Sequence, residues 1–174
     1  DGTNKFTYSR FLIPYLMGYD GWAIFFDGDM VCLSDLEKLK DFFNPKYAVS
    51  VVKHEYKTKQ KTKYFGQKNE DYPRKNWSSV IIWNCSHPKN KILTPSLINS
   101  KDGAFLHRFK WLNDIDIGSL PKSWNWLAIE YPEKENLNLI HYTLGTPCFK
   151  KYSNSSLSKH WKIYYKNHLQ GLDE

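Results

Sequence analysis

The stretch "IFFDGDMVCL" (residues 24–33) places two carboxylates, Asp27 and Asp29, one glycine apart inside an apolar run. The segment "WAIFFD" (22–27) before the second carboxylate is bounded by turn residues and apolar nearly throughout. That is the pattern of a strand covered on both faces. Two carboxylates leaving water at its end repel one another unless something cationic meets them. Carboxylate oxygens suit hard divalent ions such as Mn²⁺ or Mg²⁺. Gly28 lets the backbone turn and a ligand come close. The plainer alternative is a polar strand-to-loop turn in which one Asp caps a helix.

Working outward, "KFTYSRFLIPYLM" (5–17) reads as a helix with Phe6, Phe11, Leu12 and Leu16 on its core face and Pro14 kinking it or starting a new turn. "SDLEKLKDFF" (34–43) reads as a second helix, with Ser34 and Glu37 as a capping box. Strands are expected at 47–53, 78–84, 124–131 and 138–142, one or two helices within 89–111, and a closing helix at 157–169. Strands alternating with helices predict an α/β class with a mixed, mostly parallel sheet flanked by helices. Ligands in such sheets gather at the carboxyl ends of strands, where Asp27 and Asp29 lie. The 174 residues are enough for a single domain, 1–174, with a real core.

Composition narrows the partners. The net charge is +7 and the aromatic fraction 17%. The basic excess is concentrated in residues 53–77, a stripe that suits any polyanion or is simply a solvated face. No apolar run reaches the roughly 18 residues a membrane span needs. Cys32, Cys85 and Cys148 lack zinc spacing and read as buried, reduced thiols of a cytoplasmic protein.

His141 stands at the end of the apolar strand "NLIHY". It reads as a hydrogen-bonded core residue or as the imidazole completing an Asp/Asp/His set around Mn²⁺. The loop after it contains Gly145, where a phosphate can approach closely, and Lys150, which can reach the same anion or remain surface charge. Tyr8 and Arg10 stand on the helix before the acidic strand; Arg10 can fork onto a phosphate or a sugar hydroxyl, or form a salt bridge. Asn76, Ser78 and Ser79 offer short polar groups that read hydroxyls or make a turn. Asp114 and Asp116 are candidate catalytic carboxylates facing a sugar, or caps of a helix or turn.

Taken in order, "YSRFLIPYLM…WAIFFDGDMVCLSDLEKL", "NWSSVIIWN", "WLNDIDIGSLPKSWN" and "HYTLGTPCF" resemble the core of the family-eight glycosyltransferases, the relatives of glycogenin and galactinol synthase. The match runs over about residues 5–150. The resemblance implies a GT-A fold, a nucleotide-sugar donor, a Mn²⁺-type ion held by Asp27, Asp29 and His141, and a sugar site lined by Arg10, the Asn76–Ser79 loop and the Asp114/Asp116 segment. It further implies transfer with retention to a carbohydrate or other hydroxyl acceptor. The Lys-rich stripe points to an anionic or polymeric acceptor. Family members carry a nucleotide-binding segment ahead of the Tyr-x-Arg helix, and only four residues precede Lys5 here. The resemblance therefore implies a chain truncated at its N-terminus, or one whose base-binding half is supplied elsewhere. "GTPCF" stands where the family has a Lys-Pro-Trp ending, and the Asp-Gln pair has no Gln.

Two other classes fit parts of the sequence. "DGDMV" matches the Asp-x-Asp-x-Val signature of haloacid-dehalogenase-like phosphatases, with Asp27 as nucleophile and Asp29 as general acid. A basic, aromatic-rich module could bind nucleic acid, but no recognition signature is present and the paired aspartates would be idle. Nucleic acid is therefore not the expected partner.

Overall fold

The computed structural model describes residues 5–171. The strands are β1 (Trp22–Phe26), β2 (Met30–Cys32), β3 (Val49–Val51), β4 (Val80–Asn84), β5 (Ile117–Ser119), β6 (Trp126–Leu127) and β7 (Leu139–His141). The α-helices are α1 (Ile13–Leu16), α2 (Pro95–Ser100), α3 (Gly103–His107) and α4 (Ser158–Leu169). The chain forms two compact units. Among the described residues, no helix is long and apolar enough to cross a membrane.

The first unit comprises Asp1–Asp27, Leu36–Glu55 and Tyr72–Lys122. Its sheet has the order β1-β4-β3-β5. β4, "VIIWN", is fully buried and pairs antiparallel with β1 on one side and β3 on the other. Its β-branched residues fit a pleated surface covered on both faces. β5 runs parallel to β3. Trp83 stacks on Trp111 with ring centroids 6.5 Å apart, and Phe11 packs its edge against both. Truncating a ring such as Trp83 would cost about 3–5 kcal/mol. Gly118 of β5 has no room for a side chain: a Cβ there would meet the Ser50 hydroxyl at 2.4 Å and the Tyr47 ring at 2.6 Å.

The second unit comprises Gly28–Asp35, Tyr56–Asp71 and Ser123–Glu174. Its sheet is β2-β7-β6, with β7 central, β2 antiparallel and β6 parallel to it. Val31, Trp126, Ile140 and Tyr142 form its core, and Trp161 of α4 packs against them. The basic segment 56–71 is a pinned hairpin. Thr62 bridges Lys68, Lys63 N–H donates to Gln67 O at 2.7 Å, and Asn69 N–H donates to Lys61 O at 2.8 Å. At its base the buried Glu130 accepts from the Lys59 amide at 2.8 Å and from Asn69 Nδ2 at 3.0 Å.

The α/β class with mixed sheets stands as expected, but among the described residues three of the five strand pairings are antiparallel rather than a parallel majority. β2 is the unexpected strand: the run after Asp29 leaves β1's sheet for another. The expected strand at 124–131 shrinks to Trp126–Leu127, because Ile129 takes a left-handed φ of 73° and Tyr131 N–H turns back to Leu127 O. Residues 5–17 form a 3₁₀ helix, Lys5–Leu12, running into α1, whose first turn accommodates Pro14. Leu16, expected in the core, is 72% exposed, and the Phe6 side chain lies outside the described residues. The second expected helix is the 3₁₀ helix Leu36–Phe42, where Glu37 pairs with Lys40 at 2.6 Å. Of the three thiols only Cys85 is buried; Cys32 is half-buried and Cys148 exposed, and none is in a disulfide.

Candidate functional site

Strand register builds the site around His141, the last residue of the central strand β7. On one side Met30, the first residue of β2, pairs with His141, so Asp29 immediately before it is a neighbour. Tyr142 N–H donates to Asp29 O at 3.0 Å, and His141 Nε2 lies 3.2 Å from Asp29 Oδ1. On the other side Leu127 of β6 pairs with His141, and Asn125, two residues earlier, sets its Oδ1 3.0 Å from Nδ1. Asn125 is fully buried and His141 is 3% exposed.

This arrangement fixes the tautomer. A carboxamide oxygen only accepts, so Nδ1 carries the hydrogen. In the neutral ring, Nε2 is then a bare lone pair facing a carboxylate oxygen. Two acceptors at that distance are reconciled only by a proton or a cation between them. Burial pushes the Asp29 pKa up; the His141 charge and hydrogen bond, the residue's own backbone amide and the Lys63 charge outweigh it and hold the carboxyl below its ordinary 3.8.

Asp27 is held differently. Its amide extends the β1–β4 ladder by donating to Ser79 O at 3.0 Å. Its Oδ1 lies 2.6 Å from Arg10 Nη2, while Arg10 Nη1 donates to Ser78 O at 2.7 Å and Nε to Thr7 O at 2.9 Å. The guanidinium also lies 4.5 Å over the Phe25 ring. A planar fork engaged on three sides is a positioning device. Through the turn at Gly28, which has open space around it, ligand atoms of Asp27, Asp29 and His141 all lie within 4.8 Å of one another. Two carboxylate oxygens and one imidazole nitrogen at that spacing fit a Mn²⁺- or Mg²⁺-class ion.

The other candidates divide. Asn76, Ser78 and Ser79 are brought beside Asp27 through Arg10 and the β4 ladder, but the serine hydroxyls are engaged internally. Ser78 Oγ lies 2.8 Å from His107 Nδ1, and Ser79 Oγ donates to Asn76 O at 2.6 Å. Tyr8 faces His107, with centroids 6.1 Å apart, and lines a separate cavity of about 290 Å³ with Leu12 and Ile98. Gly145 closes a tight turn after β7, donating to Tyr142 O at 2.8 Å with φ 146°. Lys150 is exposed and opens a 3₁₀ turn, Lys150–Tyr152.

The structure does not bring Asp116 to the acidic pair. It precedes Ile117, which pairs with Val49, which pairs with Trp83, which pairs with Ala23. That is the opposite end of the sheet from Asp27. Asp116 accepts from Lys89 at 2.6 Å and from the Asn113 amide at 2.9 Å, closing a capping box. The Lys89 hydrogen bond holds its carboxyl low. Asp114 is solvent-exposed and pairs with Arg74 at 2.5 Å.

Two contributors escaped the sequence reading. Asn125 carried a signal, as the lone polar residue of "WNWLA", which must find a partner if buried. Lys63, which adds positive charge near Asp29 and donates to Thr143 Oγ1 at 3.5 Å, carried none, being one lysine among many.

With this geometry in place, comparison with solved structures assigns a GT-A-like fold. The glycosyltransferase GlyE of Streptococcus pneumoniae TIGR4 superposes with a TM-score of 0.59 at 15% identity over 89% of this chain and 42% of that one. The bifunctional glycosyltransferase WbbM gives 0.59 at 15% identity over 89% and 34%, and mouse xyloside xylosyltransferase 1 gives 0.52 at 12% over 80% and 65%. In sequence, the chain is 43% identical to Protein CDI of Arabidopsis thaliana over 164 residues, covering 91% of this chain and 63% of that protein. No family model matches.

Proposed function

We propose that this chain is the metal-binding core of a glycosyltransferase that moves a sugar from a nucleotide-diphosphate donor to a hydroxyl acceptor. The observation that carries the reading is the convergence of Asp27, Asp29 and His141, with His141 Nε2 3.2 Å from Asp29 Oδ1, in a fold shared with glycosyltransferases. A bound Mn²⁺ or Mg²⁺ would act as a Lewis acid on the departing diphosphate. Asp27, Asp29 and His141 would hold the ion, with Asn125 keeping Nε2 turned toward it and Arg10 keeping Asp27 in place. Lys63 adds positive charge where the diphosphate is to sit.

By resemblance to the family-eight enzymes, the sugar is a hexose and the anomeric configuration is retained. The region 1–174 acts as one glycosyltransferase-like domain in a reducing, cytoplasmic setting. The acceptor is a carbohydrate reached beside the basic hairpin. Asp114 and Asp116 receive no catalytic role in this reading. The phosphatase alternative is not favoured: Asp27, its nucleophile, is tied to Arg10 at 2.6 Å. Nor does nucleic-acid binding account for the Asp29–His141–Asn125 hydrogen-bonded chain.

Titration calorimetry with uridine, guanosine and adenosine diphosphates, with and without Mn²⁺, tests the proposal. Mn²⁺-dependent binding of one nucleotide that disappears in Asp29→Asn is expected. Binding indifferent to both the ion and the substitution removes the metal role.

A further inference from the structure

Five lysines stand in the hairpin 56–71, and one differs from the rest. Lys57, Lys59, Lys61 and Lys68 are exposed, whereas Lys63 is half-buried. Its Nζ lies 3.5 Å from Oγ1 of Thr143, a residue 4% exposed and two positions beyond His141. The base of the hairpin is tied down. Glu130 takes the Lys59 amide and Asn69 Nδ2, Asn69 Nδ2 also donates to Gln60 O at 2.7 Å, and Tyr56 packs edge-on against Tyr131 with centroids 5.7 Å apart. At the tip Phe65, two residues beyond Lys63, meets Phe149 edge-on at 5.5 Å. Phe65 is 82% exposed and takes a left-handed φ of 55°, with Gly66 following at 71°. A ring that exposed adds little to the stability of the fold, and a bulky residue at positive φ costs some of it. What the ring does do is hold the hairpin against the segment that follows β7. Lys63, Phe65, Thr143, Phe149, Asp29 and His141 all belong to the second unit.

We propose that the hairpin is a strap across the Asp29–His141 end of the site. Phe65 latches it to Phe149, and the latch holds the Lys63 ammonium where it meets an oxyanion of the diphosphate. A lysine on an untethered loop loses side-chain and loop freedom when an anion arrives; a lysine already held loses less, and the anion leaves more slowly. The strap deepens the glycosyltransferase reading and rests on it: it sets how long the departing diphosphate stays. Phe65 is a positioning residue, since its ring acts through Lys63.

Pyrophosphate titrated into the full chain in excess Mn²⁺ tests the strap without calling on recognition of a base, with the dissociation rate followed beside the affinity. Lys63→Gln should weaken pyrophosphate about tenfold. Phe65→Ala should weaken it about fivefold through faster dissociation, with Mn²⁺ affinity and melting temperature unchanged, and Phe65→Tyr should restore it. In the Lys63→Gln background Phe65→Ala should cost nothing further. An unaltered affinity in Phe65→Ala, or the same loss with and without Lys63, overturns the latch. If Lys63→Gln binds as the native chain does while Asp29→Asn does not bind, the strap falls and the metal reading stands. No Mn²⁺-dependent pyrophosphate binding by the native chain overturns the strap outright, and the nucleotide titration then decides the metal reading by itself.

Discussion

Asp27 and Asp29 are the same residue type one glycine apart, yet their surroundings are opposites. Asp27 faces a guanidinium, permanently charged, hydrogen-bonded on three sides and 9% exposed in its side chain. Asp29 faces an imidazole nitrogen 3.2 Å away that carries no permanent charge, with the fully buried Asn125 amide behind the ring. The first pair is already charge-balanced, and Arg10 fixes where Asp27 stands. The second is complete only when a proton or a cation arrives. A short acidic motif thus carries two jobs, and the partners rather than the motif decide which carboxylate does which.

Removing either partner separates the two jobs. Arg10→Ala leaves Asp27 half-buried and uncompensated and frees the Ser78 carbonyl; a loss of about 3–5 kcal/mol in urea unfolding is expected. Asp29→Asn should leave unfolding nearly unchanged while cutting Mn²⁺-dependent turnover roughly a thousandfold, about 4 kcal/mol of barrier. If both variants lose only stability, or both only turnover, the division of labour is wrong.

His107 extends the contrast on the Arg10 side. Burial first, and then the Arg10 charge, push its pKa down to about 4 from 6.5. The unfolded chain therefore binds a proton between those values that the folded one does not. Stability is full above pH 6.5 and falls as the pH drops toward 4, by up to about 3 kcal/mol. Replacing His107 with Gln should flatten that part of the stability–pH curve, measured by melts from pH 7 to 4.

Smaller effects belong to the supports. Asn125→Ala should weaken Mn²⁺ affinity about 10- to 100-fold by freeing the ring and its tautomer, read by titration against a fluorescent chelator. Glu130→Gln should cost roughly 1 kcal/mol and expose the hairpin 56–71 to trypsin first. A hairpin no more susceptible than before would mean that Glu130 is not its anchor.

What could be read in the sequence was what local pattern decides. The apolar run into the first aspartate and the closing helix α4 followed from periodicity, while the joining of the acidic pair with His141 was what the family resemblance implied. What could not be read was set by register. Asp116 looked like chemistry because it stands between apolar residues, but the β3–β5 pairing carries it to the far end of the sheet, where it caps a turn. Nothing local tells Met30–Cys32 to change sheets, since a three-residue strand is defined by its neighbour, β7. Asn125 matters only because β6 runs beside His141.

Gly118 shows how far such constraints reach. A single methyl group at that position collides with Ser50 and Tyr47, residues outside the Asp27–Asp29–His141 cluster. A random-mutation screen scored by product alone would mark it as essential, alongside the proposed ion ligands. Only a parallel measurement of how much folded protein survives would reveal that this residue is kept for its emptiness, and that a loss there speaks of architecture rather than of reaction.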